Sequence, residues 1–198
     1  MEGYGMTETS PVLSVCNSKK PRSNNVGQIF PSNEVKIVKE KNGQPVDSKA
    51  LKPGKRGLVM VKGRQVMKGY YKRPDLTAKI IDKDGWLHTG DLAHEDEDGY
   101  YYMVGRKKNL IILGTGENVS PEELERKLNA CPEVQECMVK EMGKKIGALI
   151  CCAEEKQAEV RAFITGLNRT LPLYQRITAV EFSTEPLPRN AMGKLLRR

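Results

Sequence analysis

The sequence predicts an α+β protein in two parts. Up to about Gly105, short apolar runs alternate with turn signals, which is the pattern of antiparallel β-structure. After the polar run Arg106-Lys107-Lys108-Asn109, strand-sized apolar runs alternate with two helix signals, one opened by a capping pattern and one amphipathic. The expected division is therefore residues 1–105, β-rich, and residues 106–198, a small strand/helix module.

Along the first part, Val12–Val15 is a short apolar stretch. Val35 and Ile37 alternate with Lys36, as a half-buried strand requires, and Asn42-Gly43 supplies the positive φ of a tight hairpin. Leu58–Val61 is a further strand, ended by Gly69-Tyr70-Tyr71 and Arg73-Pro74; Asp75–Ile81 has room for one or two helical turns. Asp84-Gly85 and Asp98-Gly99 are turn signals, the second joining Leu92–Glu95 to Tyr100–Val104 as a hairpin.

In the second part, Leu110–Leu113 reads as a strand and Gly114-Thr115-Gly116 as a turn. Ser120 then stands as an N-cap, with Pro121 at the first helical position and Glu123 completing a capping box. Leu124 and Leu128 form the buried stripe, and Cys131-Pro132 ends the helix. Strands are expected at Val134–Lys140 and Ile146–Cys152. An amphipathic helix follows from about Glu155 to Arg169, with Val160, Phe163, Ile164 and Leu167 on one face. A strand at Ile177–Phe182 leads into a basic tail.

Composition narrows the class. The chain has 198 residues, 38% of them apolar and 29% charged, as expected of a globular protein. No apolar run approaches the roughly 20 residues of a membrane-spanning helix, and the first residues lack the basic and apolar regions of a signal peptide. The five cysteines include no C-x-x-C pair, which argues against a disulfide framework or a zinc ribbon and for a cytoplasmic, reducing compartment. The two histidines are too few for a histidine-based metal site.

Net charge is +8, unevenly spread. Lys19 to Lys79 holds 16 Lys and Arg against 4 acids, a net of +12, whereas Asp82 to Asp98 has one lysine against seven acids, a net of −6. The basic residues lie in strand-like and turn-like sequence, so a solvated sheet surface is the first reading. A docking surface for a polyanionic small molecule comes second. Nucleic acid comes third, because no aromatic platform accompanies the charge.

Five clusters carry candidate chemistry. Gly3-Tyr4-Gly5-Met6-Thr7-Glu8-Thr9 offers an aromatic face, a hydroxyl and a carboxylate suited to a base, a phosphate and a hard cation. Gly63–Tyr71 reads mainly as a strand and its turn. In Trp86-Leu87-His88-Thr89-Gly90-Asp91-Leu92, Asp91 follows a glycine turn, where it either caps its own backbone or accepts ribose hydroxyls. Gly105–Asn109 is followed by Gly114–Glu125, a glycine loop before a helix whose acids Glu117, Glu122 and Glu123 disfavour phosphate. The loop reads better as a channel lining. The last cluster, Leu187–Leu195, contains Lys194, which taken singly is one more basic residue of a tail.

Taken in this order, the clusters resemble the C-terminal part of the adenylate-forming superfamily, which comprises acyl-CoA synthetases, luciferase-like enzymes and adenylation domains of peptide synthetases. Y-G-M-T-E resembles its nucleotide motif, R-G-L-V-M-V-K-G-R-Q-V-M-K-G-Y-Y its Gly-Tyr strand motif and H-T-G-D its ribose motif. G-R-K-K-N-L-I-I resembles its hinge, and P-R-N-A-M-G-K its terminal lysine motif. G-Y-G-M-T-E-T-S-P together with K-N-L-I-I-L and G-E-N-V-S-P-E-E-L-E is most similar to bacterial long-chain fatty-acid CoA ligases.

The resemblance implies a fold in which residues 1–105 are the distorted β-barrel end of a large AMP-binding domain and residues 106–198 are a mobile α+β domain. It implies two half-reactions: a carboxylate and ATP give an acyl-adenylate, and coenzyme A then gives the thioester, with Mg²⁺ required. By resemblance the nucleotide set is Tyr4 on adenine, Gly5, Thr7 at the α-phosphate and acyl carboxylate, Glu8 on Mg²⁺, and Asp91 and Arg106 on the ribose. Lys194 and Thr7 are implied as catalytic, Lys108 as the hinge, and Gly114, Thr115 and Gly116 as lining the coenzyme A channel. The implied partners are a small carboxylic acid, ATP and coenzyme A, with no nucleic acid and at most peripheral membrane contact. A carrier-protein-loading adenylation domain and a free-standing polyanion-binding module are the alternatives. The superfamily's phosphate loop and most of its acyl pocket lie upstream of these motifs, so the chain is expected to be a fragment that does not catalyse adenylation alone.

Overall fold

The computed structural model describes residues 2–17, 22–41, 44–114, 116–191, 193 and 195–197. The chain divides into two compact units, Met1–Lys108 and Asn109–Arg198.

The first unit opens with a small antiparallel sheet of β1 (Gly3–Gly5), β2 (Val12–Val15) and β3 (Gln28–Ile29), in that order. Its main sheet holds β4 (Asn33–Lys41), β5 (Gln44–Ala50), β6 (Gly57–Gly63), β7 (Leu87–Glu95) and β8 (Tyr101–Arg106). Spatial order is β5-β4-β6-β7-β8, with every neighbour antiparallel. The central strand β6 is buried over its first five residues, Gly-Leu-Val-Met-Val, as a near-continuous apolar run demands. Lys41 pairs with Gln44, so β4 and β5 are joined by two residues; the Asn42-Gly43 turn itself lies outside the described residues. Helix α1 (Pro74–Ile80) starts on a proline, which fits the first turn because its missing N–H has no helical partner there. Leu13, Ile37, Val59, Val61, Ala93 and Tyr101 form the core.

The expected barrel is not formed. The main sheet is open, with β5 and β8 as its edges. Just before β3, Val26 N–H donates to Tyr101 O of β8 (2.9 Å) and Tyr101 N–H to Gly27 O (3.1 Å). Closing a barrel requires the last strand to pair with the first. Among the described residues, nothing pairs with the outer edge of β5, which carries Pro45 and Lys49, residue types that discourage edge pairing.

The second unit has a short antiparallel ribbon, β9 (Ile111–Ile112) with β10 (Asn118–Val119), and then helix α2 (Pro121–Leu128). Its sheet runs β11 (Glu136–Met142), β12 (Lys145–Cys151), β13 (Ala179–Ser183). β11 and β12 form an antiparallel hairpin, whereas β12 and β13 are parallel. A parallel pair needs a long crossover, which α3 (Gln157–Thr170) supplies. Asn168 near the end of α3 pins the return, exchanging hydrogen bonds with both backbone groups of Ile177 (2.8 and 2.9 Å). Leu124 and Leu128 of α2 and Val160 and Ile164 of α3 all enter one core; each such burial stabilises by about 1.5–3 kcal/mol.

Several expected boundaries shift. The Leu110–Leu113 strand is only two residues long, and α2 stops at Leu128, three residues before Cys131. Ser120 is the N-cap of α2, but its side chain makes no capping bond; its hydroxyl lies 3.1 Å from Glu122 Oε2. The five cysteines are all free thiols. Among the described residues, no helix is long and apolar enough to cross a membrane.

Candidate active site

The first unit gathers residues that are far apart in sequence. β7 carries Asp91 directly after Gly90, whose φ of +74° a side chain would strain. Thr89 sets the local geometry: its hydroxyl donates to Val59 O (2.9 Å) and accepts from Asp91 N–H (3.1 Å), filling the place where the β6–β7 register breaks. The Asp91 side chain is 3% exposed, and Asp91 is the register partner of Arg106 on β8. Arg106 Nε donates to Asp91 Oδ1 (2.9 Å), while the Tyr4 hydroxyl donates to Asp91 Oδ2 (2.6 Å). A buried carboxylate is thus compensated by a cation and a phenol. Burial, and next the Asp91 charge, push the Tyr4 phenol far above its ordinary range, so Tyr4 stays a hydrogen-bond donor.

β1 holds Tyr4 in place by close backbone packing. A Cβ at Gly5 would lie 1.8 Å from Pro11 O, so only glycine fits there. The turn after it is built by Thr9, which is fully buried; its hydroxyl accepts from Met6 N–H and bridges to the carbonyls of Met6 and Pro11 (3.0 and 3.2 Å). Tyr4, Gly5 and the exposed Thr7 line a groove of about 420 Å³ with Pro11, Val12 and Val15. Glu8 is drawn the other way: its Oε1 accepts from the Tyr70 hydroxyl (2.7 Å) and its carbonyl from Met67 N–H (2.8 Å). That hydrogen bond to Glu8 raises the Tyr70 phenol above its ordinary value. Among the described residues, no three His, Cys, Asp or Glu side chains converge as a metal cluster.

Residues 1–71 match the family described as AMP-binding enzyme. A long-chain-fatty-acid–CoA ligase of Salmonella typhimurium is 40% identical over 205 residues, covering 100% of this chain and 35% of the relative. A 4-coumarate–CoA ligase 3 of Oryza sativa subsp. japonica is 35% identical over 210 residues, covering 100% and 36%. The solved O-succinylbenzoate coenzyme A synthetase of Bacillus subtilis, in complex with ATP and magnesium ion, superposes with a TM-score of 0.81 at 32% identity, covering 99% of this chain and 40% of that one. The chain resembles adenylate-forming enzymes over its whole length, and its residues 1–71 match the AMP-binding family. It spans about a third of the length of the curated relatives it matches.

Of the superfamily positions named from sequence, Tyr4, Asp91 and Arg106 are in direct contact, and Gly5 and Thr7 border the same groove. Glu8 contacts Tyr70. Lys108 sits in the single turn Lys107–Asn109, at the last position of the first unit. In the second unit, Gly114 and Gly116 lie in the β9–β10 connection, which is closed by Leu113 N–H to Glu117 O (3.0 Å) and Gly116 N–H to Leu113 O (2.8 Å). Gly116 has a φ of +90°, and a Cβ at either glycine would meet nothing within 4 Å, so these two glycines present open backbone. Thr115 and Lys194 lie outside the described residues. Thr9, Tyr70 and Thr89 lie within the clusters read from sequence but were given no role there. The one local signal was the T-x-D spacing of Thr89 and Asp91, in which a hydroxyl meets the backbone two residues on.

Proposed function

We propose that this chain is the C-terminal portion of an ATP-dependent, AMP-forming acid–thiol ligase that acts on a fatty acid. The observation that carries the reading is the Tyr4–Asp91–Arg106 contact beside the Gly5/Thr7 groove, in a chain similar over its whole length to CoA ligases. In the first half-reaction a carboxylate oxygen attacks the α-phosphorus of ATP, and the bond to the β-phosphate oxygen breaks, releasing pyrophosphate. In the second, the coenzyme A sulfur attacks the acyl carbonyl, losing its proton, and AMP departs.

Tyr4 offers its ring to adenine while its hydroxyl orients Asp91. Asp91 is assigned the ribose hydroxyls, and Arg106, whose Nε donates to Asp91 Oδ1, is assigned to the ribose beside it. Thr7, exposed on the groove rim, serves the α-phosphate and the acyl carboxylate. Magnesium fits Glu8, because Mg²⁺ is commonly held by one or two carboxylates plus substrate phosphates rather than by an all-protein cage; when bound it would neutralise phosphate charge. Lys194 stabilises charge on the transferring phosphate, Lys108 is the hinge, and the Gly114–Glu117 loop lines the thiol channel. Five free thiols accord with a cytoplasmic enzyme. The 198 residues contain no Ser/Thr/Gly-rich phosphate loop ending in Lys-Gly, so by themselves they do not adenylate.

The test is to assay the two half-reactions separately in the full-length ligase. Lys194→Ala is expected to lower carboxylate-dependent pyrophosphate release by about 10²–10³-fold, the cost of removing a preorganised charge, and to leave thioester formation from supplied acyl-adenylate near wild type. Equal loss in both halves contradicts the role given to Lys194. Turnover of aromatic acids but not fatty acids removes the fatty-acid assignment. Pyrophosphate release by the isolated 198-residue chain overturns its inactivity.

A further inference from the structure

The basic tail is fastened at both ends. Among the described residues, Arg189 bridges to Leu195 as an isolated antiparallel pair, and Leu196 N–H donates to Pro188 O (2.9 Å). The tip is drawn tight by Gly193 N–H to Asn190 O (2.9 Å) and by Arg189 Nη1 to Gly193 O (2.7 Å), with Gly193 at a φ of +75°. Each end is then gripped by a carboxylate. On the incoming side, Glu136 of β11 accepts from Leu187 N–H (2.9 Å) and from Arg189. On the outgoing side, Arg197 makes two parallel bonds to Glu125 of α2, both 2.6 Å.

The Glu125 pair is the more demanding of the two. Glu125 is buried in the middle of α2, and it also accepts from Val139 N–H (2.7 Å). A carboxylate removed from water on the core side of a helix is costly unless it is paired and fully hydrogen-bonded. The planar guanidinium fork of arginine matches it bidentately in a way a lysine does not. Glu122, one helical turn earlier, lies 3.9 Å from the same guanidinium and also holds Asn109. A single helix thus ties down the first residue of the unit and the chain immediately beyond Leu195.

We infer that the Glu125–Arg197 pair is a positioning pair that fixes the terminal hairpin on α2, so that the segment containing Lys194 is presented in one register for adenylation. The inference rests on the proposed ligase reading. A hairpin tethered at one end only sweeps many orientations, and placement errors of about 1 Å typically cost as much as 10²-fold in rate. The pair therefore acts through Lys194 and does not touch substrate.

The experiment measures both half-reactions in the full-length ligase, together with amide hydrogen exchange at Gly193 and Leu196. Arg197→Ala strands a buried carboxylate and risks the fold, so the double variant Glu125→Gln/Arg197→Met, which removes both charges at once, is assayed beside it. Arg197→Lys tests whether charge without the fork suffices. The expected result is a fall of about 10- to 100-fold in acyl-adenylate formation, faster exchange at Leu196 and a near-normal thioester half-reaction, with partial recovery in Arg197→Lys. Equal loss in both halves, unchanged adenylation or loss of fold in both the alanine and the double variant overturns the inference. Lys194→Ala separates the two levels. If it spares adenylation, the ligase reading of that lysine fails; if it abolishes adenylation while the pair variants do not slow it, only the positioning pair fails.

Discussion

Asp91 shows how a single buried carboxylate organises chain segments that are remote in sequence. Its two oxygens meet groups from residues 4 and 106, and its backbone is aimed by Thr89. Hydrogen bonds to a charged group are the strong ones, worth about 1.5–3 kcal/mol each. Tyr4→Phe keeps the ring in the groove and removes only the hydroxyl. It is expected to lower the stability of the first unit by an amount in that range, read as a shifted urea midpoint at unchanged slope. An unchanged midpoint would show that the 2.6 Å contact contributes nothing net. At this scale the sequence was partly legible. Family resemblance named Tyr4, Asp91 and Arg106, while spacing alone left Asp91 divided between a turn cap and a ribose ligand. Thr9 and Tyr70 lie within the clusters read from sequence, but no role was legible for them because their partners, Pro11 O and the Glu8 carboxylate, are defined by a turn and a tertiary contact rather than by any period.

At the scale of elements, α2 and β11 illustrate what pattern does and does not specify. The stripe of Leu124 and Leu128 was readable from helical spacing, and both are buried. The capping box was not realised, because Glu122, adjacent to the expected Glu123, takes the Ser120 hydroxyl and also accepts from Asn109. The barrel-like end was implied by resemblance alone, and the sheets are not closed into a barrel; local alternation specifies strands but not whether the outermost ones meet. β11 also carries a titratable group with a measurable signature. Burial, and next the Glu125 carboxylate, push the Cys137 thiol from its ordinary 9.0 up to about 12. The unfolded chain loses that proton at about pH 9 and the folded chain keeps it, so the unfolded state binds fewer protons and stability falls as pH rises. The contribution is intact below pH 9 and lost progressively up to about pH 12. Cys137→Ala is expected to flatten the decline of the urea midpoint between pH 9 and 11, by up to about 1.4 kcal/mol per pH unit. Parallel slopes in both proteins would exclude the thiol as a source.

At the scale of the molecule, the two units carry separate cores. The larger cluster of the second unit runs from Ile111 to Ile177, with Leu113 and Phe182 packed on it, and a smaller one joins Met138, Cys151 and Leu187. The core of the first unit draws on Leu13 through Tyr101. The change of pattern at Arg106–Asn109 was legible because polar residues interrupt both the β-alternation before it and the helical spacing after it. The crossover that makes β12 and β13 parallel was not, since strand direction depends on where α3 returns the chain. About ninety residues can fold alone when the core is contiguous. The buried Glu125 carboxylate is also paired within the second unit, by Arg197. Residues 109–198 expressed alone are therefore expected to give a dispersed NMR spectrum and one cooperative thermal transition, with amide protection at Val139 and Ile150 matching that in the 198-residue chain. A molten isolated segment, with retained helical signal but no cooperative transition, would show that this core needs the first unit to pack.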